Sequence, residues 1–210
     1  MPGAVAIRIY RAAGGLAILV AVGYQLGHGL GGRSWSTTNY FSYFTILSNL
    51  FAAGILLAGA LRGPGPQSRT FDLLRGAAVM YMLTTGIVFA VLLSGQKVST
   101  PWVNAIVHQI MPLVVALDWA IDPPRTRLAL RSTLLWLSFP LLYISYTLIR
   151  GAVVDWYPYF FVNPHHAGGY FAVAGGCLAI GVGMIGLILV ITWAGNRRGQ
   201  GRALSQPAAA

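Results

Sequence analysis

Apolar residues fall in long blocks along this chain, separated by short polar breaks, instead of at the close alternation of a soluble fold. The blocks predict six helices of bilayer-crossing length, over about residues 7–27, 39–61, 72–93, 102–121, 132–150 and 170–194. GPGPQSR (63–69) and DPPRTR (122–127) are proline-rich breaks, SGQKVSTP (94–101) is a polar loop, and GAVVDWYPYFFVNPHHAGG (151–169) is long and aromatic. The pattern predicts an all-α fold, a six-helix transmembrane bundle over residues 1–195. A disordered tail over 196–210 is expected from its small and polar composition.

Composition supports lipid as the solvent. The chain has 210 residues, of which 56% are hydrophobic and 9% charged. Soluble domains are about 25% charged. The formal net charge of +10 raises the question of nucleic acid, but no basic helix or aromatic-basic platform is present, so none is expected as a partner. The charge has a topological reading instead. Arg8, Arg11, Arg62, Arg69, Arg75, Arg125, Arg127, Arg131, Arg197, Arg198 and Arg202 fall on one side of the predicted spans. Arg33, Lys97 and Arg150 fall on the other. The bias predicts that both termini are cytoplasmic, in a multi-pass protein of the cytoplasmic membrane. No small-x-small site follows the first apolar block, which therefore reads as an anchor. A single cysteine, Cys177, rules out an internal disulfide and a Cys-cluster metal site.

One block begins oddly. NYFSYFTILSNLF (39–51) opens a span yet contains Asn39, Ser42, Thr45, Ser48 and Asn49. At ~1.5 Å per helical residue, Thr45 and His108 both lie roughly 9 Å below the outer surface, on the second and fourth spans. Ser42, Thr45 and Asn49 are spaced as one helical stripe, as are Asn104 and His108. Pro112 removes the helical partner of the His108 carbonyl and predicts a kink. Thr84, Thr85, Tyr143, Ser145 and Tyr146 bring further hydroxyls to the outer half. A neutral imidazole that reaches a threonine hydroxyl takes its proton during attack, and nearby amides stabilise an oxyanion. Thr45 and His108 are thus the candidate catalytic dyad. Ser42, Asn49, Asn104, Thr84 and Tyr146 are candidate oxyanion or pocket-lining residues.

Other readings stay open at this point. Serine and threonine commonly serve helix packing in membranes, and Asn49 could tie helices together. His28, His108, His165 and His166, with Asp155, suggest a zinc-dependent hydrolase, although none has the spacing of a helical ligand set. A polar stripe also suits a lipid-binding protein or transporter, but paired intramembrane charges and an inverted repeat are not evident. Asp118, ten residues after His108, is too far along the helix to orient the imidazole. It needs an arginine, Arg75 or Arg127, near its helix end. The glycines of the sixth span, Gly175, Gly176, Gly181, Gly183 and Gly186, predict close helix packing.

At YFTILSNL (43–50) and VHQIMPLVVALDW (107–119), and at WYPYFFVNP (156–164) with its following GG, the chain resembles the androgen-induced-gene family of integral membrane proteins. That family includes the androgen-dependent regulator of tissue factor pathway inhibitor, and the resemblance is to its bacterial six-span branch. It implies hydrolysis of fatty acid esters of hydroxy fatty acids by an intramembrane threonine and histidine. The family threonine follows an aromatic-rich start of the second span and falls on Thr45; the family histidine precedes a proline in the fourth and falls on His108. A lipid or fatty-acyl substrate within the bilayer, and no metal or other cofactor, are what the resemblance implies.

Overall fold

A computed structural model describes residues 2–32, 35–96 and 98–204. Arg33, Lys97 and residues 205–210 lie outside the described residues. The described residues are helical, with no strands among them. Six helices are long and apolar enough to cross a membrane: α1 (Gly3–Leu30), α2 (Phe44–Arg62), α3 (Arg69–Leu93), α4 (Pro101–Ile121), α5 (Leu130–Val154) and α6 (Tyr170–Gly199).

α3 is the central helix, with 56% of its most apolar window buried against 17% for α6. α2, α4 and α6 all pack on it, and α1 lies against α2. The centre of the bundle is a block of apolar side chains that includes Ile18, Leu56, Met80, Met82 and Ile188. α5 is peripheral. Its first turns, Leu130–Leu137, make its main backbone approach to α6. Its outer half is held instead through side chains: Phe139 and Tyr143 pack against Phe44, and Arg150 donates to Asn39 Oδ1 at 2.6 Å.

Local chemistry sets the helix ends. The Ser68 hydroxyl accepts from the Phe71 N–H and caps α3. Pro101 opens α4, where its missing N–H costs nothing. Gly63, with φ of 80°, ends α2 in a conformation that disfavours side chains. Pro140 in α5 frees the Trp136 carbonyl from its helical partner, and the Tyr81 hydroxyl donates to that carbonyl at 3.0 Å.

Several expectations change. α2 begins at Phe44, not near Asn39, because Thr37–Tyr40 forms a separate short helix capped by Ser36. The last helix continues through Leu204, past the predicted boundary at 195, and Asn196 bonds the Leu128 backbone through both amide atoms. No heavy atom lies within 4 Å of a Cβ placed at Gly175, Gly176, Gly181, Gly183 or Gly186. These glycines therefore do not pack against a neighbouring helix. Close approaches occur at other glycines, among them Gly15 against Leu57, Gly76 against Trp136, Gly151 against Tyr157 and, in α6, Gly195 against Trp119 and Gly199 against the Pro124 carbonyl.

The end of the bundle that holds the start of α1 and the end of α4 is closed by buried charge. Arg11 of α1 bonds Asp118 through Nε and Asp122 through Nη2, the latter at 2.8 Å. Arg75 of α3 reaches Asp118 Oδ2 at 2.8 Å, the Asp122 carbonyl at 2.7 Å and Asp72 at 3.3 Å. Asp118 thus has the expected Arg75, with Arg11 in addition. Removing one member of such a network strands the others without water. Arg11→Met is expected to destabilise the protein by about 3–5 kcal/mol. Arg8→Met, which breaks only an exposed bond to the Arg62 carbonyl, is expected to cost under about 1 kcal/mol. Thermal unfolding of both variants in detergent micelles checks this, and equal losses would refute the assignment.

Candidate active site

α2 and α4 bring the two predicted reactive side chains together. Thr45 Oγ1 and His108 Nε2 are 3.1 Å apart. Thr45 stands in the first turn of α2, whereas His108 is well inside α4. They share a level because residues 36–43 fold as a short helix and turn before α2 starts.

The histidine is oriented from three directions. Its Nδ1 lies 3.3 Å from the Asn104 carbonyl. A carbonyl only accepts, so Nδ1 carries the proton and Nε2 presents its lone pair to the Thr45 hydroxyl. The Phe89 ring stacks on the imidazole at 4.3 Å with an interplanar angle of 21°. The α-helix relaxes to a π-helix over Ile106–Ile110, and the Met111 N–H bonds back to the Ile106 carbonyl. Pro112 accounts for this, since it cannot donate to the His108 carbonyl. Gly86 of α3 sits against that freed carbonyl, where an added Cβ would meet it at 3.1 Å. The proline therefore yields a π turn.

Tyr159, from the loop after α5, completes the group. Its hydroxyl accepts from the Thr45 N–H at 3.3 Å and lies 3.4 Å from Thr45 Oγ1. Desolvation raises the Tyr159 hydroxyl above the ordinary tyrosine value, so the phenol keeps its proton and remains a donor. Tyr143 plays the neighbouring part, accepting from the Phe44 N–H at 3.2 Å and donating to the Ser42 carbonyl at 3.0 Å. Two tyrosines thus satisfy first-turn N–H groups of α2 that have no helical partner.

The other candidates divide. Asn49 is fully buried and donates to the carbonyls of Thr45, at 2.8 Å, and Val107, at 3.1 Å. Its amide is committed to tying α2 to α4 and faces no cavity, so it is not an oxyanion donor. Ser42 lies in the turn before α2, not on a stripe with Thr45. It donates to the Thr38 carbonyl at 2.7 Å and receives the Tyr146 hydroxyl at 3.0 Å. Ser42 and Tyr146 brace the wall and line neither cavity next to Thr45. Asn104 lines a cavity but meets His108 through its carbonyl. Thr84 lines the other and contacts Met80 Sδ at 3.7 Å. Among the described residues no group of three or more His, Cys, Asp or Glu side chains is placed to hold a metal; His165 meets only Asp155, at 3.9 Å.

Two cavities meet at Thr45, Leu93 and Tyr159. One is a vestibule of about 540 Å³ with polar walls that include Gln25, Asn39, Gln96, Asn104 and His108. The second is a narrow slot of about 140 Å³, almost wholly apolar, between α3, α5 and α6. Sequence reasoning missed Tyr159 and Phe89. Tyr159 falls in the long aromatic loop 151–169, and only its proximity in space to Thr45 marks it out.

No family model, curated protein or solved structure matches the chain.

Asn49→Leu removes two bonds between buried groups at the Thr45–His108 level. It is expected to lower stability by about 1–2 kcal/mol, the scale of one bond within α2 and one interhelical bond to α4 in a membrane protein. Denaturant titration in micelles would show it, and an unchanged midpoint would mean the amide bears no load.

Proposed function

We propose that this chain is a membrane-embedded hydrolase of lipid esters, of the type that the resemblance to the androgen-induced-gene family implies. The single observation that carries the reading is the 3.1 Å contact of Thr45 Oγ1 with the unprotonated Nε2 of His108, at the junction of a polar and an apolar cavity. A hydroxyl that serves packing alone does not need an imidazole held in that tautomer by a carbonyl and a stacked ring.

The chemistry follows from the hydrogen-bond chain. Thr45 Oγ1 attacks the ester carbonyl as His108 Nε2 takes its proton. The tetrahedral oxyanion forms within reach of the Tyr159 hydroxyl, which turns from Thr45 Oγ1 to the new charge. His108 then gives the proton to the leaving alcohol, and the acyl group remains on Thr45. Water entering from the vestibule loses a proton to His108 and attacks the acyl-threonine. Collapse returns the proton to Thr45 and releases the carboxylic acid. The Asn104 carbonyl holds the imidazole where a carboxylate stands in a triad. A fatty acid ester of a hydroxy fatty acid supplies such an ester.

The arginine bias supports placing both termini in the cytoplasm, with the Thr45 end of the bundle toward the outer leaflet of the cytoplasmic membrane. Fluorophosphonate labelling of purified protein tests the reading. Wild type is expected to label at Thr45, and Thr45→Ala to lose the label. His108→Ala is expected to slow labelling about 10²–10⁴-fold, and Tyr159→Phe by about 10²-fold, the scale of one oxyanion donor. Labelling that survives Thr45→Ala names another nucleophile. A folded wild type that never labels and never cleaves an ester points to the lipid-binding alternative.

A further inference from the structure

The apolar slot has no part in the proton transfers. It shares Thr45, Leu93 and Tyr159 with the vestibule and lies between α5 and α6, lined by Leu141, Ile144, Ile180 and Met184. Backbone packing shows why it is there. α5 packs on α6 mainly along Leu130–Leu137, and the slot lies farther along the pair, where that packing thins out. Beside it Leu141 is 61% exposed and Leu178 is 69% exposed. In its wall the α6 glycine Gly181 presents no Cβ, and no atom lies within 4 Å of where one would sit.

We propose that the slot binds the carbonyl-proximal part of a single acyl chain, whose remainder leaves sideways between α5 and α6 into the bilayer. The size of the slot requires the exit. A cavity of about 150 Å³ holds one benzene, so a space of about 140 Å³ takes only the first few methylenes of a fatty acyl chain. It has no volume for a phospholipid headgroup, and the polar groups on its walls are the hydroxyls of Thr45, Thr84, Thr85, Tyr143 and Tyr159 and the Cys177 thiol. A methylene gains little on moving from lipid to an apolar wall, because lipid tails are as apolar as leucine. The chain is therefore not selected by its length. The orientation, with the carbonyl at Thr45 and the leaving group in the vestibule, rests on the hydrolase reading; occupancy of the slot does not.

The test uses a free saturated fatty acid that carries a diazirine near the carboxyl group and a terminal alkyne. Wild-type protein in phospholipid nanodiscs is irradiated with it, and the cross-linked peptides are mapped by mass spectrometry. A free acid has no ester to cleave, so the label reports occupancy alone. Saturable cross-links are expected on the α6 segment from Cys177 to Met184 and on α5 near Leu141 and Ile144. Gly181→Trp fills the slot and is expected to cut them about tenfold, a loss of one decade in occupancy. Gly183→Trp is the control: it also has open space around the added Cβ and lines no part of the slot, and it is expected to label as wild type. Competing acids with long and medium chains should displace the label alike. Cross-links spread over every exposed helix face, or unchanged in a folded Gly181→Trp protein, would overturn the proposal. Saturable slot labelling in a protein that fluorophosphonate never modifies would sustain the slot while removing the hydrolase. Thr45 labelling without slot cross-links would do the reverse.

Discussion

The pairing of Arg11 and Arg75 with Asp118 is the constraint from which the rest of the bundle takes its geometry. These side chains sit in an apolar interior where an unpaired charge is not tolerated, so α1, α3 and α4 have few ways to meet. Asp118 engages both arginines, Asp122 takes Arg11 Nη2 and Asp72 takes Arg75 Nη1, while Arg11 Nη1 reaches the Gly59 and Gly63 carbonyls and Arg75 Nε has no partner among the described residues. The Asp122 side chain also accepts from the Gly65 N–H, which folds the α2–α3 loop under the same cluster. An axial slip or a rotation of α4 would separate charges at one end and move His108 at the other. The network therefore holds His108 in place from about 15 Å along the helix, without touching it.

A second constraint comes from carbonyls that prolines release. Pro140 frees Trp136, and Tyr81 of α3 answers with a hydroxyl. Pro112 frees His108, and the answer is a π turn with Gly86 lying close against the exposed oxygen. In lipid no water repairs such groups, so each proline dictates what the neighbouring helix must offer. In α4 the added residue in the turn swings His108 so that Nδ1 meets the Asn104 carbonyl and Nε2 faces Thr45. The local repair of a backbone defect and the tautomer of the imidazole are one event.

Much of this was legible in the residues, for identifiable reasons. Apolar blocks specify spans because the bilayer demands length, and the six blocks are six helices. The Thr45–His108 pairing was legible because loop charges oriented the blocks and helical rise converted position into depth. Partners across space were not legible. Arg11 read as a loop charge, since sequence does not say that Asp118 and Asp122 come to meet it. Asn49 and Ser42 read as pocket groups because composition marks a side chain as polar without saying where it is spent. The glycines of α6 read as a packing stripe, yet they face open space, because a small residue permits contact without requiring it. Tyr159 was hidden by its own company, one aromatic among many in a loop that only tertiary folding carries over the end of α2.

The polar opening of α2 now has a physical cause that joins structure to chemistry. A helix that starts inside a bundle has first-turn N–H groups with no helical partner. A serine or aspartate cap would satisfy them, but the residue before α2 is Tyr43, whose side chain makes no such bond. Tyr143 and Tyr159 supply the acceptors from outside the helix instead. A phenol that accepts from an N–H still has its own proton to give. Tyr143 gives it to the Ser42 carbonyl and is finished. Tyr159 instead faces the Thr45 hydroxyl at the long distance of 3.4 Å. The same phenol thus satisfies the start of α2 and leaves beside Thr45 a donor that is only weakly engaged.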